Sequence, residues 1–468
     1  MKSSITRRRA LAATAGVPLA LVSGTKPARA ADPKPNIIYI MADDLGYADL
    51  SCYGRREYRT PNIDSLAATG IKFLQAYANS AVCSATRTAL ITGRYQYRLA
   101  VGLEEPISGR ERKAGLPANH PTLPSLLKKA GYGTTLIGKW HLGYLPDYSP
   151  LKCGYDHFWG FQGGALDYFS HKERPDANTD DLWDDSAKVH ETGYLTNLLG
   201  ARAVKVIGDY AKSKQPFFLS LHFNAPHWPW EGPEDEAESH RIKTLFDFDG
   251  GSLKIYGRMV TQLDAQVGRV LKALETNGTA KDTIVIFTSD NGGERFSDTW
   301  PFTGKKTDLL EGGLRIPALV RWPGHLKPRS ASDQVAITMD WVPTLLAAGG
   351  AEADPAYLLD GMSLLPALTQ NAAPVSRKLY WRYRYNAQRA MRDGDMKWLK
   401  INQNTFLFNV VDDPLERANL KDRQPDVYHK LAADYDAWSK TMLPEDPQAT
   451  TAAFYDDELA DHPGNKRK

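Results

Sequence analysis

Apolar runs of strand length alternate along the chain with stretches whose apolar residues recur at helical spacing, which predicts an α/β layout with a large, mainly parallel sheet flanked by helices. Asn36 to Met41 reads as a buried strand, Pro61 to Ala68 as a short helix and Ile71 to Ala78 as another strand. Pro121 to Ala130 has helical spacing and feeds a strand over Thr134 to Gly138, and Leu195 to Ala211 leads in the same way into Pro216 to Phe223. The amphipathic stretch Ile255 to Leu274 predicts a long helix before a strand over Thr283 to Thr288. After Ala347-Ala348-Gly349-Gly350 the runs shorten: Leu379 to Tyr383, Gln388 to Arg392, Met396 to Ile401 and Thr405 to Val410 predict a small antiparallel sheet, followed by a helix from about Pro425 to Lys440. The tail after Pro447 is expected to be poorly ordered.

Polar motifs follow strand after strand. Asp43-Asp44 ends the first run, Lys139-Trp140-His141 follows a later one, Asn224-Ala225-Pro226-His227 another, and Ser289-Asp290-Asn291-Gly292-Gly293 the last of the long series. Ligands of open α/β sheets sit beyond the carboxyl ends of the strands, so this recurrence points to one site.

With 468 residues, 42% of them hydrophobic, the chain can bury a large core, and its length fits one big domain plus a smaller one. The boundaries expected are residues 1–30 for a leader, 31–374 for the main domain, 375–446 for the small one and 447–468 for the tail. The leader carries Arg7-Arg8-Arg9, an apolar stretch from Ala10 to Val22 and the small-residue cleavage pattern Ala28-Arg29-Ala30, with adjacent arginines that suit the twin-arginine route. Its apolar run is shorter than a membrane span and is broken by Gly16, Pro18 and Gly24. An exported protein, periplasmic or secreted and without a stable membrane anchor, is therefore expected.

The leader holds six Lys or Arg and no acid, so the remainder has 52 basic and 55 acidic residues, a formal charge of −3. No basic stripe is left to bind nucleic acid. Only Cys52, Cys83 and Cys153 occur, an odd count and too few for a disulfide scaffold. Cys52 and Cys153 either pair or are small buried residues; the neighbours of Cys83 single it out for chemistry.

Two Asp-containing pairs at strand ends, Asp43-Asp44 and Asp290-Asn291, with glycines following at Gly46 and Gly292 and no matching His or Cys cluster, describe an all-oxygen site that favours calcium or magnesium over zinc. Either pair alone would more simply cap a turn. Cys83-Ser84-Ala85-Thr86-Arg87 alternates small and hydroxyl residues and begins a helix over about Ala85 to Thr92. That would aim amide donors at an anion beside Cys83 and place Arg87 on the same face one turn later.

These motifs together resemble the type I sulfatases of the alkaline-phosphatase-like superfamily, over nearly the whole chain from Asn36-Ile37-Ile38 to Leu407-Phe408-Asn409 and Asp412-Asp413-Pro414. Cys83-Ser84-Ala85-Thr86-Arg87 matches the CxAxR variant of the family's CxPxR signature, with Ala85 in place of proline. The run from Gly93 to Arg98 is also similar, and the motif spacing resembles the arylsulfatase and N-acetylgalactosamine sulfatase branch. The resemblance implies that Cys83 is oxidised to formylglycine by a formylglycine-generating enzyme. Its hydrate would then be the nucleophile that opens a sulfate ester. It also implies Asp43, Asp44, Asp290 and Asn291 as ligands of a calcium or magnesium ion, together with an oxygen of the modified Cys83. By motif, Lys139 and His141 match GKWHLG, His227 matches APHxP, and Lys306 stands five residues before the glutamate of Glu311-Gly312-Gly313-Leu314-Arg315-Ile316-Pro317. Lys305 is its neighbour, and spacing alone selects Lys306. Arg87, Lys139 and Lys306 would hold the sulfuryl oxygens, His227 would serve the leaving oxygen and His141 would be the base.

A divalent ion with those three cations, set against three aspartates, leaves a net positive pocket that attracts sulfate and phosphate alike. A carbohydrate or aryl sulfate is the expected substrate; Gly102-Leu103-Glu104-Glu105, the stretch Phe158 to His171 with Trp159, Asp167 and Tyr168, and Trp228-Pro229-Trp230 are candidates for the pocket rim. The alternatives are a phosphonate or phosphate ester hydrolase on the same scaffold, and a binding protein for sulfated glycans that never acquires the aldehyde. Oligomeric state is not readable from the sequence.

Overall fold

A computed structural model describes residue 1 and residues 34–467 except 112, 175–178, 371 and 463. The leader expected over residues 1–30 falls, beyond Met1, outside the described residues. Among the described residues ten strands form one sheet: β1 (Asn36–Ala42), β2 (Ile71–Phe73), β3 (Gly133–Lys139), β4 (His157–Phe161), β5 (Trp183–Asp184), β6 (Ala187–Lys188), β7 (Phe217–His222), β8 (Thr283–Ser289), β9 (Ala318–Arg321) and β10 (Ser330–Ser332). Their spatial order is β10-β2-β9-β8-β1-β7-β3-β4-β5-β6. The five central strands β8, β1, β7, β3 and β4 are parallel, and β9 runs antiparallel to both β8 and β2.

β1 shows why this run of sequence is apolar throughout. Ile37, Tyr39 and Met41 enter one core, with Leu90, Leu126 and Trp341, while Ile38, Ile40 and Ala42 enter the other, with Ile63, Leu199 and Leu263. A parallel strand covered on both faces has no polar side to alternate with. One cover consists of α1 (Pro61–Thr69), α4 (Leu195–Ser213) and α5 (Leu253–Thr276); the other of α2 (Cys83–Thr92), α3 (Leu123–Lys129) and α6 (Trp341–Gly349). Ala42 at the end of β1 pairs with Ser289 at the end of β8, so Asp43-Asp44 and Asp290-Asn291 leave neighbouring strands at the same height.

A second, antiparallel sheet runs β11 (Lys378–Tyr383), β12 (Gln388–Asp393), β13 (Met396–Ile401) and β14 (Asn404–Asn409) in sequence order. Helix α7 (Pro425–Ser439) covers one of its faces, with Leu431 and Tyr435 against Met391, Trp398 and Leu407. Leu379, Trp381, Ala390 and Leu399 pack with Ala85 and Ala89 of α2. The small sheet is thus the back wall of the helix that begins at Cys83.

Two expectations need correction, and one point that the sequence left open is decided. Ile71 to Ala78 is two strands, because the chain leaves the main sheet after Phe73 and Ala76–Tyr77 pairs instead with Ala336–Ile337. The tail is packed: Glu105 N donates to Thr450 O at 3.0 Å, Ala452 N to Glu105 O at 2.6 Å and Tyr383 Oη to Ala452 O at 2.6 Å. Cys52 and Cys153 do not pair; all three cysteines are free, and Cys153 lies in the core on one side of the sheet while Cys52 packs on the other.

Candidate active site

The ten residues singled out by sequence, Asp43, Asp44, Cys83, Arg87, Lys139, His141, His227, Asp290, Asn291 and Lys306, are all buried. Most are linked directly to one another. Asp44 adopts φ 62°, a left-handed conformation that a non-glycine residue keeps only when its surroundings hold it. Here Asp44 N donates to Asp290 Oδ1 at 3.2 Å, and Leu45 N to Ser289 Oγ at 3.0 Å, so β1 and β8 clamp the turn between them. Asn291 Nδ2 donates to Asp44 Oδ1 at 2.7 Å.

Helix α2 is buried over all ten residues, which only small or internally satisfied side chains permit. Its hydroxyls bond to backbone: Thr86 Oγ1 with Ser80 on both its N–H and its carbonyl, Thr88 Oγ1 to Ser84 O at 2.9 Å and Thr92 Oγ1 to Thr88 O at 2.7 Å. Cys83 opens the helix, at its positive end. Burial pushes its thiol pKa up against the pull of Lys139 and Lys306, so the unmodified residue is a poor nucleophile. One turn on, Arg87 places Nε and Nη2 at 3.2 and 2.8 Å from Asp290 Oδ2, and Nη2 lies 3.7 Å from Asp43 Oδ1.

Lys139 Nζ meets Asp43 Oδ2 and Lys306 Nζ meets Asp44 Oδ2, each at 2.6 Å. Burial works against the Lys306 ammonium, but Asp44, Cys83 and Asp43 together outweigh it and raise the pKa. His227 Nδ1 lies 2.8 Å from Trp228 O, which fixes its proton there and leaves Nε2 facing Asp44 Oδ2 at 3.4 Å. His141, at φ 52°, turns Nε2 to Ile107 O at 3.0 Å, and its buried Nδ1 has no partner. Burial and then nearby Lys cations, Lys139 for His141 and Lys306 for His227, hold both imidazoles well below the usual histidine range, hence neutral.

Two glycines make the packing possible. Gly138 has φ 103°, and a Cβ there would stand 1.9 Å from His222 O; one on Gly164 would stand 2.8 Å from His141 Cε1.

The donor set fits a hard cation. Ligand atoms of Asp43, Cys83 and Asp290 lie within 4.8 Å of one another, as do those of Asp43, Asp44 and His227. Asp43 Oδ1 and Asn291 Oδ1 are buried and accept no hydrogen bond, a state that costs roughly 1–3 kcal/mol per atom unless a positive partner meets it. Burial and Asp290 push the Asp43 carboxyl well above its usual range; burial acts the same way on Asp290, but Arg87 and Lys139 overcome it. A divalent ion is what would keep Asp43 ionised as well.

Residues 35–351 match the family model described as Sulfatase. The chain belongs to the sulfatase family. A second match, over residues 302–441, is to the C-terminal region of N-sulphoglucosamine sulphohydrolase. The sulfatase is 33% identical over 402 residues to rat N-acetylgalactosamine-6-sulfatase, covering 81% of this chain and 74% of that one. It is 31% identical over 452 residues to human arylsulfatase A, covering 89% and 84%. The solved structure of Ps i-CgsB superposes with a TM-score of 0.82 at 32% identity, covering 89% of this chain and 95% of that one. The phosphonate monoester hydrolase of Agrobacterium radiobacter shares the fold, with a TM-score of 0.61 at 21% identity over 87% of this chain and 96% of that one. The sulfatase is a sulfuric ester hydrolase of the alkaline-phosphatase-like superfamily.

Several expected rim residues of the sulfatase are internal. Trp159, Asp167, Tyr168 and Trp230 are buried, and Tyr168 Oη donates to His227 O at 2.8 Å, bracing that loop from behind. Glu104 and Glu105 are also buried and hold Thr450 and Thr451. Of the expected rim aromatics Phe169 and Trp228 stay half-buried. His222 went unnoticed in the sequence because it closes an apolar strand; its Nδ1 lies 3.2 Å from Lys139 O and 3.4 Å from Arg87 Nη1, behind the site.

Proposed function

We propose that the sulfatase removes sulfate from a saccharide ester, using residue 83 as formylglycine and a divalent cation, calcium or magnesium, held by Asp43, Asp44, Asp290 and Asn291. One observation carries this reading. Cys83 stands at a helix start among those four side chains, two of which keep a buried oxygen without a hydrogen bond. When present, the cation and the formylglycine supply an acidified hydroxyl nucleophile and a counter-charge for the sulfuryl oxygens.

The chain's own side chains do the rest. Arg87, fixed by Asp290, joins Lys139 and Lys306 in stabilising negative charge as it shifts onto the sulfuryl oxygens, and all three side chains are buried, where such charges act strongly. The leaving oxygen takes its proton from the Lys306 ammonium, relayed through His227 Nε2, which is free to accept it because the Trp228 carbonyl holds the ring's own proton on Nδ1. His141 is the base: its Nε2–H is used by Ile107 O, so the unpartnered Nδ1 takes the proton that frees sulfate.

A saccharide is preferred because of the relatives. Two of those named above act, by name, on aminosugar sulfate or aryl sulfate, and Ps i-CgsB has also been solved in complex with k-i-k-neocarrahexaose, at 31% identity and a TM-score of 0.81 over 90% of this chain and 96% of that one. Residues 31–374 form the catalytic domain, 375–446 the small subdomain and 447–468 the tail, after a leader that directs export. No helix among the described residues is long and apolar enough to cross a membrane. The test is ester hydrolysis by protein produced with a formylglycine-generating enzyme, measured as sulfate release from 6-sulfated galactose, N-acetylgalactosamine 6-sulfate and nitrophenyl sulfate, and as phosphate release from nitrophenyl phosphate. Faster cleavage of the phosphate than of every sulfate would favour the phosphate hydrolase alternative instead.

A further inference from the structure

Beyond His227 lies a ladder of aromatic rings that sulfuryl transfer does not use. The His227 and Trp228 ring centroids are 4.0 Å apart; Trp228 stacks on Phe246 at 4.4 Å and 29°, and Phe246 on Phe248 at 5.8 Å and 14°. The ladder runs outward, since His227 is buried, Trp228 half-buried, and Phe246 and Phe248 are 48% and 41% exposed. Ala165, Ile242 and Leu245 form a small buried cluster against which Trp228 packs, and this holds the inner rung in place. A cation flanks each end: Lys306 Nζ is 6.0 Å from the Trp228 ring centre, and the Arg295 guanidinium 5.4 Å from that of Phe248.

We propose that Trp228, Phe246 and Phe248 form a saccharide platform, on which Trp228 takes the apolar face of the sugar bearing the reacting sulfate and the two phenylalanines take the adjoining sugar. This rests on the sulfatase reading above and narrows its substrate from any sulfated saccharide to an oligosaccharide. The ladder starts at the histidine assigned to the leaving oxygen, so whatever lies along it is joined to the reacting ester. A pyranose has an apolar C–H face and a polar rim, which suits a flat aromatic surface edged by charge. Arg295, at the outer end, would meet a further anionic group of a sulfated chain, while Lys306 stays with the reacting sulfate. Two half-exposed phenylalanines offer far less apolar area than a stable protein interface needs, and an aryl sulfate would reach no farther than the first rung.

The test uses Phe246→Ala and Phe248→Ala, singly and together, in the full chain, with a sulfated galactan hexasaccharide and nitrophenyl sulfate as substrates. Both side chains are half-exposed and lie outside the main cores, so the variants are expected to fold. The ratio of kcat/KM on the hexasaccharide to kcat/KM on nitrophenyl sulfate is expected to fall about tenfold in the double variant, mainly through KM. In a Cys83→Ala background, calorimetric affinity for the hexasaccharide is expected to weaken by a similar factor. An unchanged ratio, with unchanged affinity, overturns the platform. A parent enzyme that releases sulfate from nitrophenyl sulfate but from no saccharide would instead sink the substrate assignment, and the platform with it.

Discussion

Lys306 Nζ lies 2.6 Å from Asp44 Oδ2 inside the site, whereas its neighbour Lys305 turns to Asp461 in the C-terminal segment. Adjacent lysines therefore have separate fates. Lys306→Ala is expected to lower kcat on nitrophenyl sulfate at least a hundredfold, the scale of losing one charge-stabilising donor. Lys305→Ala should stay within about twofold, since an exposed pair contributes little. Steady-state kinetics on the two variants decide the matter, and equal losses would contradict the assignment of Lys306.

The two buried oxygens without hydrogen bonds, Asp43 Oδ1 and Asn291 Oδ1, make a prediction about metal removal. Dialysis against a chelator should abolish turnover and lower the melting temperature, because a ligand bound only to the folded state stabilises it by mass action. Calcium or magnesium should restore both. In Asp290→Ala neither should return, and Arg87 would keep no carboxylate closer than Asp43 Oδ1 at 3.7 Å. Calorimetry with and without added ion reports the stability directly.

Gly164→Ala probes the hold on His141, since the new methyl would press on the imidazole at 2.8 Å from Cε1. The expected result is at least a tenfold loss of kcat with a melting temperature within a few degrees of the parent, on the ordinary scale of general base catalysis. A variant of unchanged kcat would show that the ring's position is unimportant.

His222 gives a pH signature. Burial, with Arg87 beside it, holds its pKa down to about 3, against roughly 6.5 in an unfolded chain. Between those values the unfolded chain binds the proton and the folded one refuses it. The stability from this residue is therefore complete above pH 6.5 and is lost as pH falls towards 3. Wild type should lose on the order of 2 kcal/mol more than His222→Asn between pH 7.5 and 4.5, measured by urea unfolding. Parallel pH profiles would show that His222 titrates normally.

Much of this molecule is legible in its sequence because both faces of the central strands are covered. Runs such as Ile37 to Ala42 and Ile284 to Phe287 are apolar without interruption, and the polar residues that follow them stand out. The site is legible for the same reason, as its residues follow strand ends directly. What escaped is set by contacts between distant segments. β9 is only four residues, Ala318–Arg321, and its direction depends on its neighbours. The C-terminal residues near Thr450 are ordered by hydrogen bonds to Glu104 and Glu105, some 346 positions away, which no local pattern announces. Aromatics such as Trp159 and Tyr168 look alike in sequence whether they rim a pocket or lie behind it; here both are buried, and Tyr168 braces the His227 loop.

The account stands most directly on the chemical state of residue 83. Protein made with graded amounts of the formylglycine-generating enzyme can be digested, and the peptide containing Cys83 weighed to obtain its aldehyde fraction beside the rate of sulfate release. The predicted result is a rate proportional to the aldehyde fraction, falling to the background of Cys83→Ala when only thiol remains. Full turnover by protein whose residue 83 is entirely thiol would contradict it.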